Sequence, residues 1–402
     1  MQDFSTRILA EGVRVSNDTW ATGINNNDVI IGPSGAGKTR GYVIPNVLAS
    51  EGSLIVTDTK NVLCGALEGY LRENGFKVQC VDFVDCAHSR QGYNPLDYVE
   101  MTDEKPNEQD MMRVAAALCP VEDSRDPFWE LAARGLLASL VGYAMECLPL
   151  QECNLSSVCR LFRAVLDDDK YEKLIRELEI TDPECFAVRQ FLTSRASKKA
   201  DKMDASIKGI LGQKLAAYGF DGIQRVFTMQ DRVNFAGLRK EKTALFINIS
   251  DTDRSMDRLV SLFYAQAMQT LCNTPEVPGE TFLPVRMIMD DFASGCRVPD
   301  FDRVISVVRS RHLYISIIIQ SLSQLESLYG GASAATILNN CDTLLYLGGN
   351  DVSTSRYIGA RANRPPHAIL SMGTDEALLF QRGQEARKVE RYKLEEYYNI
   401  AN

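Results

Sequence analysis

Histidine is almost missing from this chain: His88, His312 and His367 are the three in 402 residues, and they are scattered. A transition-metal centre built on imidazole is therefore not expected. Cysteine is present, but among its 11 residues no C-x-x-C pair occurs. Cys80 and Cys86 stand six residues apart, as do Cys147, Cys153 and Cys159, a spacing no zinc site favours. Reduced, buried thiols in a cytoplasmic protein are the expectation. No apolar run is long enough to cross a bilayer. The best stretch, residues 131–150, is interrupted by Arg134 and Glu146 and reads as a core helix. The first residues lack the basic and apolar regions of a signal peptide, so a soluble chain is expected. Positive charge is in deficit, with 44 Lys and Arg against 53 Asp and Glu and a net charge of −9. That excludes a surface coated all round with nucleic acid, but not a local basic groove or a charged pore. Tandem repeats and low-complexity linkers are missing as well.

Against these absences stands one complete motif. Gly32-Pro33-Ser34-Gly35-Ala36-Gly37-Lys38-Thr39 is a G-x-x-x-x-G-K-[ST] phosphate-binding loop. It follows the apolar run Asp28–Ile31 and precedes Arg40–Pro45, a short helical stretch, which is the context the motif requires. Glycine frees the backbone to curl so that successive N–H groups point at phosphate oxygens, and the helix start adds positive potential. Lys38 would reach the β- and γ-phosphates, and the Thr39 hydroxyl would hold Mg²⁺. A second site has to say what is done with the nucleotide. The segment Arg286-Met287-Ile288-Met289-Asp290-Asp291 is an apolar strand ending in two carboxylates. Asp290 would serve the Mg²⁺ shell, and Asp291 would orient the attacking water or accept its proton.

Residues 28–119 alternate strand and helix signals, which implies a parallel sheet with helical crossovers. Ser53–Asp58 and residues 77–83 read as strands, and Asn61–Asn74 as a helix stopped by Gly75. From about 107 to 217 the strand signals vanish. Apolar residues there recur at helical spacing in 128–147, 155–166, 171–178, 184–196 and 203–216. Strands return at 243–249, 286–290, 314–320 and 343–347. The expected organisation is a split nucleotide-binding core, residues 1–120 and 226–402, with an all-α domain, 121–225, inserted in it. At 402 residues the length also favours two domains.

Several segments together resemble the type IV secretion system coupling proteins, the hexameric ATPases of bacterial conjugation. They are GPSGAGKTRGYVIPNVL, SLIVTDTKNVL, YNPLDY, DPFWELAARGLL, MDDFASGCRVPDFDRVISVVRSRH, ISIIIQSLSQLESLYG and ILNNCDTLLYLGGND, in the family's order between residue 28 and about 360. The resemblance implies an α/β fold, a RecA-like P-loop NTPase core with a mainly parallel sheet and an inserted all-α domain. It implies ATP and Mg²⁺ as ligands and a homohexamer around a channel. It also implies a task, bringing relaxase-bound single-stranded DNA to the secretion-channel proteins at the cytoplasmic face of the membrane. In such motors a polar residue ending the strand between the phosphate loop and the acidic strand senses the γ-phosphate, here Gln320. An arginine just upstream, here Arg309 or Arg311, reaches the neighbouring subunit's nucleotide, although positive charge at a helix C-terminus explains the same residues. The chain departs from the family in three places. It shows no pair of N-terminal transmembrane helices, so attachment through a missing N-terminal anchor or a partner protein is expected. Asp290-Asp291 stands where Asp-Glu is usual, and Asp58-Thr59-Lys60-Asn61 where Asp-Pro-Lys-Gly is usual, which points to slow hydrolysis.

The densest basic cluster is Arg195, Lys198, Lys199, Lys202 and Lys208, diluted by Asp201 and Asp204, and a second basic stretch is Arg239-Lys240-Glu241-Lys242. Either could meet DNA, or be a solvated face. Phe128 and Trp129 read as core. The expectation is an ATP-driven coupling protein. The alternatives are another hexameric DNA translocase and a nucleotide-binding docking platform with little turnover, which Asp291 supports.

Overall fold

The computed structural model describes residues 6–122, 125–195, 201–292 and 297–394. Contacts divide the chain into two compact units. The first takes the chain up to Val84, Asn234–Arg254 and everything from Ala267 on; the second takes Asp85–Val233 and Ser255–Gln266. The helical unit thus extends beyond 121–225, taking in residues 85–120 and the first part of the helix Asp257–Asn273. Helical periodicity could not mark those additions, because a helix pattern does not reveal which core each half of the helix joins.

In the first unit, β1 (Thr6–Ala10) and β2 (Val13–Ser16) form a hairpin turned at Gly12, whose φ is +66°. β3 (Asp28–Ile31), β4 (Ser53–Asp58) and β5 (Lys77–Asp82) follow. After the second unit's two-residue pair, β6 (Met101–Thr102) and β7 (Lys105–Pro106), come β8 (Thr243–Asn248), β9 (Val285–Met289) and β10 (Leu313–Ile319). β11 (Thr343–Tyr346), β12 (Glu376–Gln381) and β13 (Arg387–Glu390) complete the set. Nine of them make one sheet in the order β13-β12-β11-β3-β10-β9-β4-β8-β5. From β11 to β5 every pairing is parallel. Strands of this kind are covered on both faces, which is why β3, β4, β8, β9 and β10 are buried at every position and carry no alternation. β12 and β13 add an antiparallel edge ending in exposed Arg387, Lys388 and Glu390, charges that discourage further pairing.

The amino ends of these strands are tied by a buried ionic cluster. Asp28 accepts from Arg7 Nε at 3.0 Å, from the Tyr42 hydroxyl at 2.6 Å and from Arg286 Nη1 at 3.3 Å. Arg7 also donates to Asn26 Oδ1 and Thr343 Oγ1, and Arg286 to Ser316 Oγ. One carboxylate thus links β1, β3 and β9, while the two guanidiniums reach β11 and β10. Burial, and then Asp28, push the Tyr42 phenol far above its ordinary pKa, so it stays a donor. Arg239, fully buried, plays a similar part: its guanidinium donates to the carbonyls of Leu271, Leu283, Arg311 and His312.

The second unit is built on the 20-residue helix Phe128–Cys147. Gly142 is needed there, since a Cβ would lie 2.7 Å from Phe186 Cδ1. Glu146 accepts from the N–H groups of Phe186 and Ala187 at 3.0 and 2.9 Å, and so caps the helix Phe186–Arg195. The YNPLDY segment closes the unit on itself. Gly92 N–H donates to Asp231 O at 2.8 Å, and Val233 N–H donates back to Gly92 O at 3.0 Å. A Cβ on Gly92 would stand 2.6 Å from Val226 O, so only glycine fits. Tyr93 donates to Gln266 Oε1, Tyr98 to Val233 O, and Asp97 pairs with Arg232 at 2.9 Å. Asn94 satisfies all its polar atoms, accepting from Leu96 and Leu155 N–H and donating to Asp97 and Cys153 O.

Phe128 and Trp129, expected in the core, are not buried. Phe128 is 48% exposed and the half-buried Trp129 gives its indole N–H to Asp126, because the first turn of their helix carries them to the surface. No helix among the described residues is long and apolar enough to cross a membrane.

Candidate functional site

The site is assembled at the carboxyl ends of β3, β9 and β10. β10 pairs with β3 on one side and β9 on the other, so Gly32, Asp290 and Gln320 leave neighbouring strands in one row. Residues 32–39 curl as the glycines require: Gly35 and Gly37 both have φ of +77°, a region in which any other residue would be strained. Gly32 has no room for a side chain, since a Cβ would meet Ala36 Cβ and Leu347 Cβ at 3.0 Å. Lys38 turns back into the loop and donates to Gly32 O at 2.7 Å and Pro33 O at 3.0 Å. Its pKa is lowered, chiefly by burial, with Asp291 and Asp290 opposing the shift. The helix after the loop starts with a widened turn, in which Ile44 N–H reaches Thr39 O. Pro45 accounts for this: it has no N–H to give Gly41, and its ring would crowd that carbonyl.

Thr39 Oγ1 donates to Asp290 Oδ2 at 3.2 Å, and Asp291 N–H donates to Asp290 Oδ1 at 3.0 Å. A hydroxyl and a carboxylate side by side beside a phosphate loop are the hard oxygen donors that Mg²⁺ prefers, so these residues can hold it. Burial pushes the Asp290 carboxyl up to about 6, and the Asp291 charge adds to the rise. Asp291 itself is in the left-handed region, φ +50°, uncommon for a side-chain-bearing residue. Its carboxylate meets the end of β10, where Gln320 Nε2 donates to Asp291 Oδ1 at 3.3 Å. The two carboxylates thus have different partners, the Thr39 hydroxyl for Asp290 and the Gln320 amide for Asp291.

Arg309 and Arg311 do not join this group. They precede Leu313, the first residue of β10, and so lie at the amino ends of the strands. A seven-residue strand spans about 23 Å, which puts them out of reach of their own subunit's loop. Both are exposed, and Arg309 Nη2 makes one 3.5 Å contact, with Thr19 O.

Two residues near the loop escaped the sequence reading of the site. Lys60 follows β4, the strand beside β9, and its charge is near enough to Lys38 to lower that lysine's pKa further. Arg391, just past β13, donates to Ala36 O at 3.0 Å and also to Leu347 O, fastening the loop to the end of the chain. Lys60 stood in a quoted segment and could have been found from its position after a strand. Arg391 had no local signal.

Of the two basic stretches, 239–242 loses one of its charges to the interior and has its lysines engaged. Arg239 is inside the fold, Lys240 pairs with Glu280, and Lys242 lies over the Phe76 ring. In the other, Lys208 is 9% exposed and pairs with Asp204 at 2.9 Å, while Lys202 is exposed. Lys198, Lys199 and the Arg195 and Asp201 side chains lie outside the described residues.

Residues 5–362 match the family model described as type IV secretory system conjugative DNA transfer. A probable conjugal transfer protein TraG from Sinorhizobium fredii is 20% identical over 403 residues, covering 89% of this chain and 60% of the relative's length. The chain thus spans about 60% of that curated relative. Among solved structures, the bacterial conjugative coupling protein TrwBdeltaN70 aligns with a TM-score of 0.69 at 17% identity, covering 98% of this chain and 90% of that one. TrwB in complex with the ATP analogue ADPNP aligns with a TM-score of 0.68 at 17% identity, covering 97% and 90%. VirB4 of Thermoanaerobacter pseudethanolicus gives a TM-score of 0.57 at 15% identity, covering 98% of both chains.

Proposed function

The chain belongs to the type IV secretory system conjugative DNA transfer family, and from that premise we propose that it is an ATP-hydrolysing coupling protein. It recruits relaxase-bound single-stranded DNA to secretion-channel proteins at the cytoplasmic face of the membrane, and ATP hydrolysis drives the transfer. The observation that carries the reading is the convergence of the curled loop, Lys38, and the Thr39–Asp290 contact at one end of a RecA-like sheet.

ATP is the substrate, its phosphates received by the N–H groups of Gly32, Pro33, Ser34, Gly35, Ala36, Gly37, Lys38 and Thr39 where a donor exists; Pro33 shapes the loop without one. Lys38 leaves its loop carbonyls to neutralise the β- and γ-phosphates. Thr39 and Asp290 would hold Mg²⁺, which would supply positive charge beside the phosphoryl group. Asp291 orients water and takes its proton, and Gln320 holds Asp291 and senses the terminal phosphate. Arg309 or Arg311 completes the site of the next subunit in a homohexamer, consistent with their place at the opposite strand ends. Asp291 is one methylene shorter than glutamate, so turnover is slow. That same residue favours a second reading, a docking platform that binds ATP and seldom hydrolyses it.

The test is Mg-ATP binding by calorimetry for wild type and Lys38→Ala, followed by ATPase rate and sedimentation with and without single-stranded DNA. Loss of binding in the variant, and stimulation and assembly on DNA that fade with salt, are expected. Unchanged affinity in Lys38→Ala refutes the nucleotide site. A relaxase effect without a DNA effect leaves a protein-docking ATPase.

A further inference from the structure

Beyond Asp290 the carboxyl ends of the strands continue in register. Val56 of β4 pairs with Ile288 of β9, so Asp58 stands level with Asp290; Asp58 pairs in turn with Asn248 of β8, and Asn248 with Asp82 of β5. The turn after β4 is fixed to this row. Asp58 accepts from Lys60 N–H at 3.2 Å and from Leu63 N–H at 2.6 Å. Asn61 takes the left-handed region, φ +53°, and its side chain donates to Asp82 Oδ2 at 3.1 Å and accepts from Asn248 Nδ2. A side-chain-bearing residue stays in that region only where its partners hold it there. Lys60 is thus presented, exposed, at the strand end next to Asp290, and among the described residues no carboxylate pairs with its ammonium.

We propose that Lys60 is a second phosphate-binding cation, which donates to the γ-phosphate of the nucleotide bound on its own subunit. The proposal rests on the ATP reading above and deepens it. The terminal phosphate belongs at the Thr39–Asp290 contact, between the ends of β3 and β9, and β4 is the next strand, ~4.8 Å beyond β9. A lysine reaching back from the turn after β4 therefore meets the γ end of the triphosphate. Burial is the main cause of the lowered Lys38 pKa, but the Lys60 charge adds to it, so the two ammoniums converge on one place. Two like charges repel unless an anion lies between them. Charge balance points the same way: Lys38 alone faces both Asp290 and Asp291, which leaves the site negative before an anionic nucleotide arrives. In hydrolysis the water oxygen bonds to the γ-phosphorus, the bond from that phosphorus to the bridging oxygen breaks with its electron pair leaving on ADP, and Asp291 takes the water's proton. Lys60 keeps its own proton and donates to a non-bridging γ-oxygen, where a fixed positive charge stabilises the transferring group.

The experiment compares Mg-ADP with Mg-ADP plus aluminium fluoride, which stands in for the transferring phosphoryl group, by calorimetry on the full chain. Two variants are used, Lys60→Ala and Lys60→Arg; the side chain is exposed, so neither should disturb the fold. Wild type should bind Mg-ADP more tightly when aluminium fluoride is present. Lys60→Ala should bind Mg-ADP as wild type does and lose about tenfold or more in affinity for the fluoride complex. Lys60→Arg keeps the charge and should recover part of that loss. Unchanged affinity of Lys60→Ala for the fluoride complex overturns the proposal, as does equal weakening of both ligands, which would mean a displaced loop. A wild type that gains nothing from aluminium fluoride refutes the γ-phosphate contact alone. Binding of neither ligand to wild type refutes the nucleotide reading beneath it.

Discussion

Replacing Asp290 by Asn should make the nucleotide-free protein more stable while removing its response to Mg-ATP. The carboxyl is 7% exposed, and burial, aided by Asp291, lifts its pKa from the ordinary 3.8 to about 6. At 1.36 kcal/mol for each tenfold change in proton affinity, holding the ionised form in the fold costs about 3 kcal/mol. The sign follows from the direction of the shift. The folded pKa is raised, so this group's contribution to stability is most favourable below about pH 4, is lost as the pH rises through about 6, and is least favourable above 7. Asparagine keeps the local hydrogen bonds: its oxygen can accept from Asp291 N–H, and its amide can donate to the Thr39 hydroxyl, which rotates to accept. Urea unfolding in EDTA should therefore show Asp290→Asn more stable than wild type by up to about 3 kcal/mol at pH 7.5, with the two converging near pH 4. Adding Mg-ATP at pH 7.5 should raise the wild-type midpoint by mass action and leave the variant nearly unmoved. A variant no more stable than wild type at pH 7.5, or equally stabilised at pH 4, would refute the argument that this site stores unfavourable charge for its ligand.

Three further outcomes are expected. Asp291→Glu should raise kcat, by up to ~100-fold if the aspartate falls ~1 Å short of the water it orients; a slower Asp291→Glu enzyme in a steady-state phosphate-release assay would show a site adapted to aspartate. Mixing Lys38→Ala with Arg309→Ala or Arg311→Ala protein should restore part of the activity each lacks alone, because the arginines lie at the far ends of the strands; activity linear in protein concentration down to monomer would reject action across an interface. Asp28→Ala should destabilise the fold by about 3–5 kcal/mol in urea unfolding, since it leaves Arg7 and Arg286 buried together without their shared carboxylate; a loss under 1 kcal/mol would mean water enters the cluster.

Some of this protein was legible from local pattern alone. Residues 32–39 need no neighbours to be recognised, because the glycines, lysine and threonine are dictated by what a curled backbone and a phosphate require. The apolar runs of β3, β4, β8, β9 and β10 read as buried strands, since a parallel sheet covered on both faces allows no polar alternation. The helices Phe128–Cys147 and Leu155–Val165 followed from their spacing to within a residue. The hairpins β1–β2 and β12–β13 went unread, although Gly12 and Gly383 each mark a turn between strand-like runs.

What local pattern could not decide was adjacency. The order β11-β3-β10-β9-β4-β8-β5 is set by which crossovers pack together, and periodicity within a strand carries no record of its neighbour. That order puts Asp290 and Gln320 on one flank of the loop and β11 and β12 on the other, while parallel pairing leaves Arg309 and Arg311, which precede β10, at the opposite ends of the strands. The same holds for single residues. No local signal marks Arg7, Asp28 and Arg286 as partners until the fold buries them together, and Arg391 becomes a clamp on Ala36 only because the chain returns to the loop 355 residues later. Chemistry dictated by one short segment was written in the sequence; chemistry that needs two distant segments waited for the sheet to bring them within bonding distance.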